Sequence, residues 1–257
     1  MDLGIEGKTA VVCASTSGLG RATAEALAAE GARVVVCGRR KETAESVAAG
    51  LPRALGVGVD LLAPDGPEAV LSAARSAFGP VDILVLNGPG PRAARVTEIL
   101  PEELGPCVDS LVTVHHRLVS QVLGHMRAQR WGRILAIGSS AVAAPIGDLA
   151  LSGIGRTALA AYLKMLATDV AADGVTVNML LPGRISTDRV RQLDAARATR
   201  SGRDVAAVHQ ESAERIPMNR YGGPAEFAAV AAFLCSASAS YVTGSAVRCD
   251  GGLVPAL

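Results

Sequence analysis

The sequence predicts an α/β fold: a three-layer, doubly wound parallel sheet forming a single Rossmann-like domain over residues 1–257. Three observations predict it: short apolar runs rich in β-branched residues, alanine-rich helical stretches between them, and a glycine-bearing turn directly after the first run. A run that stays apolar without alternation is a strand buried on both faces, and strands alternating with helices build a parallel sheet covered on either side. With 49% hydrophobic and 19% charged residues, the chain has the apolar content for one substantial core.

The strand runs fall at 9–13, 33–37, 57–59, 82–86, 133–137 and 175–179. Between the first two, residues 19–30 place Ala24, Leu27 and Ala28 on one helical face and stop at Gly31, which can take the left-handed conformation that ends a helix. Leu111, Val114, Leu118 and Val122 make a second stripe ahead of Trp131-Gly132. Leu159, Leu163, Leu166 and Val170 make a third within 157–172, closing near Gly174. From about 185 to 217 the composition shifts to alternating charge, with apolar positions at Val190, Leu193, Val205 and Val208. One or two amphipathic helices are expected there, either as a substrate lid over a pocket or as a surface excursion.

Bulk properties narrow the partners. A formal net charge of +1, with both signs mixed along the chain, supplies no field for nucleic acid or an anionic membrane, which leaves small molecules and protein surfaces. The start, MDLGIEGK, lacks a signal peptide's apolar run, and no apolar stretch approaches the roughly 20 residues that span a bilayer, so a cytoplasmic location is expected. Cys13, Cys37, Cys107, Cys235 and Cys249 are scattered without a CxxC pair or neighbouring histidines, and neither a metal site nor a disulfide framework is expected.

The turn after the first run reads Ala14-Ser15-Thr16-Ser17-Gly18-Leu19-Gly20 and opens a helix. Glycines at such a turn let backbone amides approach a pyrophosphate, whose charge meets the positive helix end. The second run closes on Gly38-Arg39-Arg40 and the third on Val59-Asp60. A carboxylate after the second strand selects the ribose 2′-hydroxyl of NAD, whereas arginine suits a 2′-phosphate, so Arg39 favours NADP(H) over NAD(H). Solvated charges opening the next helix would give the same arginines.

Together the Gly18-x-Gly20 turn, Val59-Asp60, Asn87-Gly88-Pro89-Gly90, Gly132-Arg133-Ile134 through Ser139, Asn178 with Pro182-Gly183 and Thr187, Gly223-Pro224-Ala225-Glu226, and Val242-Thr243-Gly244 before Asp250-Gly251-Gly252 resemble the short-chain dehydrogenase/reductase superfamily. The likeness is to its 3-oxoacyl-acyl-carrier-protein-reductase-like members and covers nearly the whole chain. It implies a Rossmann-like sheet of about seven strands in a subunit that assembles as a tetramer or dimer, with Ala158, Ala161 and Ala167 as a small-residue face for close approach. It implies that the backbone of Ser15, Ser17, Gly18, Leu19 and Gly20 holds the pyrophosphate, Arg39 the 2′-phosphate, Asp60 the adenine edge, and Asn87 with Gly88 the adenosine ribose region. Pro182, Gly183, Ile185 and Thr187 would line the nicotinamide amide. Ala14 stands where the family has its first glycine, which is acceptable where that residue keeps negative φ.

In the family, a serine ending the fifth strand is followed thirteen residues on by a tyrosine and four further by a lysine; the same count from Ser139 reaches Ser152 and Arg156. A phenol with an ordinary pKa of about 10 can be drawn down by a neighbouring ammonium until it delivers a proton to a nascent alkoxide. A serine hydroxyl is a much weaker acid and a shorter one. Arg156 keeps the positive charge and could hydrogen-bond the nicotinamide ribose from the lysine's position, but it cannot relay a proton; it could clamp an anionic substrate instead. The family's asparagine on the preceding long helix falls at Leu111, or at Ser110 with a one-residue shift. Tyr162 lies about 15 Å along the helix from Ser152. His115, His116, His209 and Tyr221 are further candidate proton carriers.

Three readings follow. One is an NADP(H)-dependent oxidoreductase acting on a carbonyl or alcohol, with Ser139 and Ser152 cradling the substrate oxygen and water or a lid residue supplying the proton. Another is a catalytically silent nucleotide-binding scaffold or regulatory protein. The third is a non-redox lyase or dehydratase that uses Arg156 to grip a carboxylate or phosphate.

Overall fold

A computed structural model describes residues 2–255. Strands β1 (Thr9–Val12), β2 (Arg33–Gly38), β3 (Ala54–Gly58), β4 (Ile83–Leu86), β5 (Gly132–Ile137), β6 (Val175–Pro182) and β7 (Ala246–Cys249) form one sheet of order β3-β2-β1-β4-β5-β6-β7. Every pairing is parallel. The chain winds outward from β1 to one edge, then returns to lay β4 on the other side of β1. The carboxyl ends of β1 and β4 therefore flank a topological switch point, where open α/β sheets bind their ligands.

The helices are α1 (Gly18–Ala29), α2 (Lys41–Ala49), α3 (Gly66–Phe78), α4 (Pro101–Val108), α5 (Val114–Ala128), α6 (Ala150–Val170), α7 (Asp188–Ser201), α8 (Val205–Glu214) and α9 (Pro224–Leu234). Successive side chains of β1 and β2 divide between two cores. Val11, Cys13, Val35 and Cys37 face the layer of α3, α5 and α6, whereas Ala10, Val12, Val34 and Val36 face the layer of α1, α2 and α9. All eight are fully buried, which is why these runs carry no polar alternation. Each such valine contributes roughly 1.5–3 kcal/mol relative to exposure.

Gly31 takes φ 82° and ends α1 as its position predicts. Other elements depart from the sequence expectation for local reasons. Strand β3 starts at Ala54, before the apolar signal at 57–59, because it is a half-buried edge strand with no need of a continuous apolar run. Helix α6 starts at Ala150 rather than 157: the pairing of Ala94 with Leu149 and a bond from the Cys107 thiol to the Leu151 carbonyl (3.1 Å) hold its first turn despite two glycines there. A π turn at Asp109–Thr113 joins α4 to α5, so the stripe beginning at Leu111 crosses it. Ala167 is buried in the core while Ala158 and Ala161 are exposed, which removes Ala167 from the expected small-residue face.

The charged stretch forms two helices, α7 and α8. Its ends are paired with each other: Ser186 N–H donates to the Gly222 carbonyl and Gly222 N–H to the Arg184 carbonyl, both at 2.9 Å. Val208 is buried and Val190 and Leu193 half-buried, but Val205 is exposed at the start of α8. Among the described residues, no helix is long and apolar enough to cross a membrane.

Candidate active site

A cleft of about 720 Å³ opens along the carboxyl ends of β1, β4, β5 and β6, roofed by α7. At its nucleotide end the turn after β1 is tighter than expected. Ala14 does not keep negative φ; it sits at +45°, in the left-handed region, with its carbonyl accepting from Asn87 Nδ2 at 3.2 Å. Chain reversal between β1 and α1 requires that conformation, and an alanine bears it at a cost of about 1–2 kcal/mol. Ala14→Gly is expected to raise stability by roughly 0.5–1 kcal/mol, strain relief outweighing added chain entropy; a higher midpoint of denaturant unfolding with unchanged slope would show it.

Two residues expected to hold pyrophosphate stand behind the turn. Ser15 is fully buried, its hydroxyl donating to the Val12 carbonyl (2.6 Å) and accepting from Cys37 N–H (3.1 Å), which ties β1 to β2. Gly20 is a close-approach position: a β-carbon there would stand 2.6 Å from the Ala14 oxygen and 2.7 Å from Asn87 Nδ2. Ser17, Gly18 and Leu19 do line the cleft. No side chain caps α1 and no acid occupies its first turn, so its leading N–H groups remain open to an anion.

Around that helix end the remaining expected residues converge. Arg39 lines the cleft from the end of β2, exposed and without an ion pair among the described residues. Asp60 lines it beyond β3, its Oδ1 accepting from Leu62 N–H at 3.0 Å. Asn87 and Gly88 follow β4, and Pro182, Gly183, Ile185 and Thr187 follow β6, with Thr187 Oγ1 capping α7 through Val190 N–H. Open amides and an adjacent guanidinium as donors, with a carboxylate acceptor one strand away, are the groups that suit a phosphorylated dinucleotide.

At the other end Ser139, Ser152 and Arg156 share one wall. Ser139 caps the turn after β5, accepting from Ala141 N–H at 3.1 Å and keeping its own hydrogen for another partner. Ser152 and Arg156 lie one turn apart on α6, and Arg156 Nε donates to Ser152 Oγ at 3.2 Å. Arg156 Nη1 donates to the Ile137 carbonyl at 2.6 Å, joining α6 to the end of β5. Burial, followed by repulsion from Arg189, brings the guanidinium down to about 10, still cationic at neutral pH.

The structure also sorts the other candidates. Ser110 lines the cleft, its hydroxyl donating to the Cys107 carbonyl at 3.0 Å, whereas Leu111 is fully buried in the layer below. His115 is buried with Nδ1 2.9 Å from the Leu111 carbonyl, and burial pulls its pKa down to about 4, so it is neutral at pH 7. His116 pairs with the Tyr162 hydroxyl at 3.1 Å. Tyr221 donates to Asp194 at 2.9 Å with His209 against its ring. None of these histidines or tyrosines lines the cleft.

Residues that sequence reasoning missed come from α7. Arg189, Arg197 and Arg200 face the cleft beside the expected apolar Leu193, at helical spacing readable as one face of the helix. Arg189 donates to the Pro91 carbonyl at 2.9 Å, and Arg200 pairs with Asp148 at 2.7 Å, so α7 is latched to both rims. Asp194, buried on the opposite side, pairs with Arg184.

Comparisons with known proteins agree with this geometry. The family described as enoyl-(acyl carrier protein) reductase matches residues 13–254. The 3-oxoacyl-[acyl-carrier-protein] reductase of Escherichia coli (strain K12) is 34% identical over 253 residues, covering 98% of this chain and 99% of that protein. The structure of L-sorbose reductase from Gluconobacter frateurii, complexed with NADPH and L-sorbose, superimposes with a TM-score of 0.93 at 34% identity and full coverage of both chains. An actinorhodin polyketide ketoreductase with NADPH gives 0.91 at 29% identity, over 97% of this chain and 98% of that one. Fold order, cleft and sequence likeness along nearly the whole length converge: the chain belongs to the short-chain dehydrogenase/reductase superfamily.

Proposed function

We propose that this chain is an NADP(H)-dependent oxidoreductase acting on a carbonyl or alcohol group of a small molecule, with Ser139, Ser152 and Arg156 standing in for the superfamily's serine, tyrosine and lysine. The observation that carries the reading is a single cleft with an uncapped helix N-terminus and Arg39 at one end and two serine hydroxyls at the other. The NADPH bound by the sorbose reductase and the ketoreductase supports the same cofactor here. When bound, it supplies a hydride to the carbonyl carbon.

The chain's own residues do the rest. Ser139 and Ser152 each offer an O–H to the substrate oxygen, a paired cradle of the kind whose single donors are worth roughly 10²–10³-fold in rate. The Arg156 Nε–H bond to Ser152 Oγ holds that hydroxyl in place and favours its partial charge in the transition state. Arg156 stays charged, so the proton comes from water through Ser152. The α7–α8 excursion acts as a lid on one Rossmann-like domain, excluding bulk solvent when closed. Exposed Leu104, Val108 and Ile154 on α4 and α6 favour assembly as a homotetramer or dimer in the cytoplasm.

Calorimetric titration with NADPH and NADH tests this directly. NADPH is expected to bind much more tightly, and Arg39→Ser to weaken NADPH by on the order of 10–100-fold while leaving NADH unchanged. If neither nucleotide binds, the reading falls. A silent scaffold is the second reading, favoured by the lack of any phenol or imidazole on the cleft wall among the described residues; nucleotide binding without oxidation of NADPH by any ketone would select it.

A further inference from the structure

Arg156 is 8% exposed and makes no ion pair among the described residues. Its two hydrogen bonds go to neutral acceptors, the Ser152 hydroxyl and the Ile137 carbonyl. The other terminal nitrogen, Nη2, makes no hydrogen bond among the described residues, and the guanidinium borders the cleft. A second cation, Arg189, lines the same cleft from α7, with the Pro91 carbonyl as its only hydrogen-bond partner among the described residues. Its charge adds to burial in lowering the Arg156 pKa. A buried cation without a counter-ion is strongly unfavourable, and that holds for Arg156; Arg189 is exposed and adds positive charge at the mouth of the cleft.

We propose that the missing counter-ion is a carboxylate carried by the substrate, so that the chain acts on a short oxo- or hydroxy-carboxylic acid. The inference rests on the oxidoreductase reading and deepens it. The carboxylate takes the free Nη2 of Arg156, Arg189 closes on it from the lid, and the reacting oxygen lies on Ser139 and Ser152. Ser152 Oγ and Arg156 Nε are 3.2 Å apart, so neighbouring donors serve both groups and the carbonyl must be close to the carboxylate in the substrate. That geometry selects 2-oxo or 3-oxo acids. Asp148, also on the cleft wall and engaged with Arg200, disfavours a second negative charge further out. In the step itself the carbonyl carbon accepts the hydride of NADPH and its oxygen a proton from water through Ser152, giving the hydroxy acid and NADP⁺.

The cofactor's phosphates are the other source of an anion in this cleft, and the experiment separates the two. NADP⁺-loaded protein is titrated by calorimetry with pyruvate and acetoacetate, and with the methyl ester of each. The acids are expected to bind at least about tenfold more tightly than the esters, as a charge-assisted hydrogen bond in a buried site requires. Arg156→Gln removes that preference and Arg156→Lys keeps part of it, with NADP⁺ affinity measured in parallel for each variant. Arg189→Gln, on the exposed lid, weakens the acids alone by about three- to tenfold and remains informative if position 156 does not tolerate glutamine.

Esters that bind as well as acids overturn the inference, as does failure of both acids to bind the loaded protein. So does an Arg156→Gln variant that loses NADP⁺ affinity while keeping the acid preference, because the anion is then the cofactor's. Acid binding without any NADPH oxidation sustains the anion site and removes the oxidoreductase reading. Oxidation of NADPH with the esters preferred does the reverse.

Discussion

Ser152→Tyr and Arg156→Lys made together are expected to raise NADPH-dependent reduction of a neutral ketone by on the order of 10²-fold, the lower range of what a positioned general acid contributes. A phenol reaches further than a serine hydroxyl and, beside an ammonium, gives up its proton near neutral pH. The two changes belong together. Tyrosine beside Arg156 gains a charged neighbour that cannot relay a proton, and lysine beside Ser152 has no acid to depress. Each single variant is therefore expected to gain less than about tenfold. Initial rates resolved into kcat and KM are the measurement, and the gain should appear in kcat. A double variant that binds NADPH normally and reduces ketones no faster would show that proton delivery does not limit the native cleft. With carboxylate substrates the sign reverses in KM, because the guanidinium fork has gone.

Asp194→Ala is expected to produce the largest loss of stability, about 3 kcal/mol, the range for breaking one side of a buried charge pair. Asp194 is 3% exposed, pairs with Arg184 and accepts the Tyr221 hydroxyl at 2.9 Å. It thereby joins α7 to the segment entering it and to the segment leaving α8. The loss should be felt first around the pair: hydrogen exchange is expected to accelerate most across residues 185–222, while the amides of β1, β4 and β5, which open only with the whole domain, remain the slowest to exchange. Asp194→Asn keeps an acceptor for Tyr221 and should lose less. If Asp194→Ala unfolds in denaturant within about 0.5 kcal/mol of the wild type, this hub does not hold the lid.

Strand positions were legible wherever burial on both faces forced an apolar run, as in β1 and β2. They were not legible at β3, whose edge position relaxes that demand. Ser139, Ser152 and Arg156 could be brought together through the resemblance, whose catalytic spacing counts onto them, and the end of β5 and the first turns of α6 then place all three on one wall. The bond from Arg156 to the Ile137 carbonyl was invisible, since it depends on how α6 packs on the sheet. Position 14 misled for a related reason: side-chain identity argued against a left-handed residue, and chain reversal imposed one. The arginine face of α7 was present as spacing, but nothing in the sequence turned that face toward the cleft. His115 shows the same limit, since only burial determines that it is neutral.

The pairing of Ile185 with Gly222 makes the chain leave and re-enter the domain at one point. Lengthening a segment whose ends already meet adds only about 0.6 kcal/mol of closure entropy per doubling. The cover over the cleft is thus a cassette plugged into a fixed socket. Residues between the paired ends can be rewritten, extended or exchanged for those of a relative while the phosphate turn and Arg39 stay in place.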